Sequence, residues 1–252
     1  MPALEALFRW IHIVAGIVWI GHLYFFNFVN GPFAGTMDPD TRKKVVPQLM
    51  PRALYWFRWG AAWTWVTGVL LVLLIFYHGR EVFPGIRGFA LPDIVMILVT
   101  FLAFLLYDTL FKMDFAKDLR VGGAVGLGLV IVIVAGGYIA WAGFGYRAYV
   151  IHTGALFGTI MAANVWMRIW PLQKKIITAV RDGAAPDPAW APLAGTRSRH
   201  NTYLSVPLVW MMINAHTTVP YASSPIYLFL AIVAGWGGVY LLYENTPRVK
   251  GF

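Results

Sequence analysis

Seven stretches of this chain, at roughly 4–29, 53–77, 92–111, 121–142, 147–170, 201–219 and 224–243, stay apolar over about the 20 residues an α-helix needs to cross a bilayer. In lipid every backbone N–H and C=O must find its partner inside the segment, so runs of this length fold as helices. The expected fold class is therefore all-α, a polytopic transmembrane bundle of about seven spanning helices. Composition agrees: 59% of residues are hydrophobic, 12% are charged and the mean hydropathy is +0.65, far from a soluble domain. The first apolar run is too long for the core of a cleavable signal peptide, and no small-residue cleavage site follows it. With no internal repeat and no shift in composition, residues 1–252 read as a single integral-membrane domain.

The net charge of +9 is explained without nucleic acid. Sixteen of the 20 Lys and Arg fall at one set of helix ends and four (Arg9, Arg80, Arg87, Arg147) at the other. The positive-inside bias then places the N-terminus outside and the C-terminus in the cytoplasm. The connection from Pro171 to His200 reads as an amphipathic turn or two followed by an extended, proline-rich loop, and 30–51 reads as a similar solvated connector. Zero cysteines exclude disulfides, cysteine-held iron–sulfur clusters and covalently attached c-type haem.

An ionisable side chain at membrane depth is a functional candidate by default, and the first segment, FRWIHIVAGIVWIGHLYFF, carries both His12 and His22. Ten residues of helix rise about 15 Å, so the two imidazoles lie at different depths and serve different sites. The topology puts His12, His152 and His216 in the outer leaflet on three helices, with His78 at the rim, and His22 and His200 in the inner leaflet. Histidines from different helices at one depth are what a bis-histidine b-type haem requires. The expected outer haem uses His152 with His12 or His216, and the inner one His22 with His200.

Small residues flank two of these histidines. Gly154, Gly158 and Ala162 make a bare stripe beside His152, and Gly16 lies one turn from His12; such a stripe seats either a flat ring or another helix. Arg9 and Arg147, near the outer interface, are candidate partners for haem propionates, or else snorkel to the interface. The same histidines fit two other classes. His12, His152 and His216 also make a three-imidazole set for copper or zinc, and in a structural subunit without cofactor they would bond only to protein. Asp93 and Asp108, near helix ends, read as interfacial, Asn164 and Asn214 as interhelical glue, and most of the 12 tryptophans as an aromatic belt.

Three runs, RWIHIVAGIVWIG at 9–21, HTGALFGTIMAANVW at 152–166 and GAAPDPAWAPLAGTRSRHNTYLSVPLVWMMINAH at 183–216, resemble the membrane domain of the bacterial cytochrome-c-linked urate hydroxylases, the PuuD family. The resemblance implies a multi-pass protein of the bacterial inner membrane that oxidises a small substrate, urate in that family, and passes electrons towards a c-type cytochrome. His12, His152, His200 and His216 lie on the family-like runs. That family continues into a cytochrome c domain, which a chain without cysteine cannot bear, so the cytochrome or other redox subunits are expected as partners, with quinone the other possible acceptor. The protein is then either a urate-hydroxylase-like oxidoreductase or an electron-transfer subunit of a respiratory or photosynthetic complex. Arg58, Thr64, Thr67 and Asn164 are the nearest candidates for a purine pocket.

Overall fold

The computed structural model describes residues 2–78, 85–114, 118–216 and 224–249. Arg80, Lys117 and Lys250, used above to orient the chain, and the end of the sixth apolar segment, 217–219, lie outside them. Every regular element among the described residues is helical: α1 (Pro2–Tyr24), α2 (Gly31–Thr36), α3 (Pro39–Val72), α4 (Leu91–Leu110), α5 (Leu119–Ile131), α6 (Tyr146–Asn164), α7 (Trp170–Arg181), α8 (Trp190–Asn214) and α9 (Pro225–Asn245), with π-helical turns and one short 3-10 turn. Among the described residues six continuous helices are long and apolar enough to cross a membrane: Pro2–Thr36, Pro39–His78, Leu91–Leu110, Arg120–Trp141, Tyr146–Arg181 and Pro225–Arg248. The segment expected at 201–219 forms part of α8, whose 25 residues are long enough but carry Arg197, Arg199, His200 and Asn201 among the apolar ones. Tyr146–Arg181 is the most enclosed of these six spans, with 72% of its most apolar window buried against 6% for Pro2–Thr36.

Two connectors are more helical than expected. Instead of an extended loop reaching His200, α7 ends at Arg181, the chain turns at Gly183 (φ +76°) and α8 already starts at Trp190. Asp187 receives the Ala189 N–H on its side chain and the Trp190 N–H on its carbonyl, satisfying donors that a helix start leaves open. Likewise 30–51 is mostly helix. Asp38 caps α3 by accepting the N–H groups of Asp40 and Thr41, each at 3.0 Å, and α3 runs through Pro47 and Pro51.

Among the described residues, four π-helical stretches, Phe25–Asn30, Leu73–His78, Val132–Trp141 and Val165–Ile169, are continuous with the apolar helices. A π-turn opens the i→i+4 ladder by one residue and re-aims the side chains around it.

The chain's contacts group into two compact units. The first comprises Met1–Phe8, Gly68–Ile160 and Pro207–Ala234, and the second Arg9–Thr67, Met161–Val206 and Gly235–Phe252. In the first, Thr100 Oγ1 and the Tyr138 hydroxyl are bonded at 2.7 Å, both with 0% exposure. Asp93, expected at the interface, is fully buried there, with Oδ2 accepting the Arg87 N–H at 2.9 Å; the segment before α4 folds over it. Asp108 is also buried and pairs with Lys112 at 2.7 Å.

The second unit is laced by polar contacts between helices. Tyr24 meets Ser205 at 3.0 Å, and Asn27 donates to Ser198 at 2.8 Å while accepting from Tyr243 at 2.9 Å. Asn164 donates to Asn201, and Asn201 to the Met161 carbonyl, each at 2.9 Å. In lipid such bonds hold helices together at about 1 kcal/mol apiece, which is the role expected of Asn164. Asn214 donates to Trp210 O within its own helix.

Candidate functional site

Of the six histidines, His152 is the one with no exposed surface. Its Nδ1 lies 2.7 Å from the Ala148 carbonyl one turn back on α6, and its Nε2 lies 2.7 Å from the Tyr77 hydroxyl. A carbonyl only accepts, so Nδ1 carries the proton, and in the neutral ring Nε2 accepts the hydrogen bond that Tyr77 donates. Four aromatic rings enclose the imidazole: Phe144 at 4.9 Å between centroids, Tyr138 at 5.7 Å, Tyr77 at 5.8 Å and Phe76 at 6.2 Å. Phe76 and Tyr77 come from the π-turn that ends the second span, Tyr138 from the π-turn after α5, and Phe144 from the short connection that follows. The π-turns thus supply three of the four walls. No feature of the sequence marks them, and Tyr77 and Tyr138 were not legible as site residues.

His12 and His22 share one feature with His152. His12 Nδ1 donates to the Thr64 carbonyl at 2.9 Å, with Thr67 Oγ1 at 3.3 Å, and His22 Nδ1 donates to the Val18 carbonyl at 2.7 Å. Each ring is therefore fixed in the tautomer whose lone pair is on Nε2, and neither Nε2 has a hydrogen-bond partner among the described residues. Gly60 lets α3 come close enough for the His12 contact: a Cβ there would sit 3.1 Å from Trp19 N and 3.2 Å from Ala15 O.

Metal-binding histidines characteristically have the second ring nitrogen held by a carbonyl or carboxylate, which sets the tautomer and aims the free lone pair. The donor pattern at His12 and His22 fits haem iron on that criterion. At His152 the Nε2 lone pair already receives the Tyr77 proton inside a closed aromatic cage, so ligation there requires that bond to be given up.

The remaining candidates are placed as follows. His200 is half-buried on α8 in the same unit as His22, His216 is exposed in the turn just past α8 in the unit of His152, and His12 belongs to the other unit. His78 is exposed. Gly154 seats a helix, since a Cβ there would meet Met212 at 2.8 Å and Met211 at 3.3 Å, while Gly158 faces open space and Gly16 only Thr64 at 3.8 Å. Arg147 donates from Nε to the Ala215 carbonyl at 2.9 Å, and Arg9 is half-buried. Among the purine-pocket candidates, Thr64 and Thr67 border His12, whereas Arg58 packs on Trp170 and Asn164 on Asn201. Among the described residues no three His, Asp or Glu side chains converge to hold a metal ion; carbonyl and phenol contacts fix the rings of His12 and His152.

No characterised protein and no solved structure matches this chain. The family described as urate oxidase N-terminal matches residues 34–248, a stretch that takes in His152 and its four aromatic walls, His200 and His216, and on that match the chain belongs to the urate oxidase N-terminal family.

Proposed function

We propose that this protein is an integral-membrane redox protein, related to urate hydroxylases, that holds one or two non-covalent b-type haems and passes electrons between a substrate or partner and a c-type cytochrome or quinone. The observation that carries this reading is the anchoring of Nδ1 at His12 and His22, which leaves two Nε2 lone pairs at two depths of one helix. His22, with His200 from the same unit, would hold one haem, and His12 would be one ligand of the other. When bound, the haem supplies reversible one-electron chemistry at iron. The protein's own part is to orient the imidazoles through the Thr64 and Val18 carbonyls and to keep them in apolar surroundings. Membership in a family named for urate oxidation supports a purine as the electron source, and the spread of basic residues supports an outside N-terminus in a bacterial inner membrane.

Single substitutions test the ligands. His22→Ala and His12→Ala are each expected to remove about half of the haem from a two-haem protein, or all of it from a one-haem protein, while the helical far-ultraviolet spectrum stays unchanged. Urate added to the oxidised protein should then reduce the remaining haem. Haem content unaltered in both variants would rule out these ligands.

A further inference from the structure

Arg58 is the cation of the second unit whose surroundings call for a ligand from outside the chain. It lies on α3 with its guanidinium carbon 4.0 Å above the Trp170 ring, 5.8 Å from Tyr55 and 5.9 Å from Trp166. Trp166 is itself fixed, donating its indole N–H to the Arg58 carbonyl at 3.0 Å and packing edge-on against Trp59. The aromatic walls are therefore preset, with the guanidinium carbon over the Trp170 ring. Nevertheless its side-chain donors find no acceptor among the described residues, and Nε is buried without a partner. A guanidinium has five N–H donors, and leaving them unmet beside apolar rings is unfavourable.

Depth identifies the missing acceptor. Helix is continuous from Pro39 to His78, and the stretch from Arg58 to His78 rises about 30 Å, one hydrocarbon thickness. Arg58 lies in the second turn of the apolar run that starts near residue 53, beside the basic residues Arg42, Lys43, Lys44 and Arg52, and a cation at that end of a spanning run belongs at the headgroup level. The flank is open to lipid, for Tyr55, Trp56 and Trp59 are 48%, 58% and 40% exposed. A planar fork of N–H groups matches the oxygens of a phosphate, and Arg binds them bidentately.

We propose that Arg58, clamped by Trp170, Trp166 and Tyr55, is a phosphate-binding site occupied by the headgroup of an anionic phospholipid. The site is independent of any haem.

The test compares the delipidated full chain with its Arg58→Gln and Arg58→Lys variants by native mass spectrometry after exchange into phosphatidylcholine with or without phosphatidylglycerol, and separately with inorganic phosphate. Arg181→Gln, which removes one exposed positive charge, is the control. Retained phosphatidylglycerol should fall about tenfold in Arg58→Gln, fall less in Arg58→Lys, which keeps the charge but lacks the fork, and stay unchanged in Arg181→Gln. Equal retention in Arg58→Gln overturns the proposal, as does an equal loss in Arg181→Gln, which would indicate bulk charge. Binding of inorganic phosphate at Arg58 without retention of phosphatidylglycerol overturns the lipid assignment. If Arg58→Gln fails to fold, the comparison of Arg58→Lys with Arg181→Gln decides by the same criteria.

Discussion

Gly60→Leu is expected to force α3 away from α1, lowering stability by about 3 kcal/mol and removing the haem proposed at His12. Gly60 is buried, and even one added carbon would approach the backbone of Trp19 and Ala15 to 3.1–3.3 Å. Those atoms belong to a main chain that cannot rotate aside, unlike the Met212 methyl that a Cβ at Gly154 would meet. Gly60→Ala therefore needs a shift of a few tenths of an ångström and is expected to cost about 1 kcal/mol. The same separation lengthens the contact from His12 Nδ1 to the Thr64 carbonyl, since Thr64 lies one turn beyond Gly60 on α3. Thermal unfolding in detergent and haem quantification should move together in the leucine variant. Loss of stability with haem retained would detach His12 from the site.

The second large effect is at His152. His152→Ala removes a ring enclosed by four others and leaves the Tyr77 hydroxyl without its acceptor, together worth about 4 kcal/mol. Tyr77→Phe keeps the ring and deletes only the donor, so about 1–3 kcal/mol is expected from the unsatisfied Nε2. If the two groups serve each other, the double variant His152→Ala/Tyr77→Phe is less destabilised than the sum, by about 1 kcal/mol or more. Additive losses would mean that the 2.7 Å contact contributes nothing beyond packing. The same variants bear on iron ligation: with Tyr77 removed, Nε2 of His152 has a lone pair to offer, and any haem it takes up should appear as a gain in the spectrum of Tyr77→Phe.

The helical class and the approximate spans were legible because hydrocarbon leaves a backbone so few choices, and apolar runs of about 20 residues report that constraint directly. Asn164 as interhelical glue was legible for a related reason, since a buried amide in lipid needs a partner. Other features depend on relations that no single stretch encodes. The helical start at Trp190 rests on a cap by Asp187 inside a run that reads as a proline-rich loop, and the burial of Asp93 rests on the segment that covers it. Above all, the cage of His152 is assembled by π-turns in two spans and a short connection, where an opened hydrogen-bond ladder, not residue type, turns Tyr77 and Tyr138 towards the imidazole. The histidines themselves could be picked from sequence; the carbonyls that fix their tautomers could not, because Thr64 meets His12 only once α1 and α3 have packed at Gly60.

The most direct test is a dithionite-reduced minus oxidised absorption spectrum of the purified, folded protein, with haem counted per chain as its pyridine haemochrome. One or two haems with a b-type α band are the expected result, because the anchored lone pairs of His12 and His22 are then occupied by iron. A folded preparation with no haem would contradict that account and leave the histidines of this membrane protein bonded to protein alone.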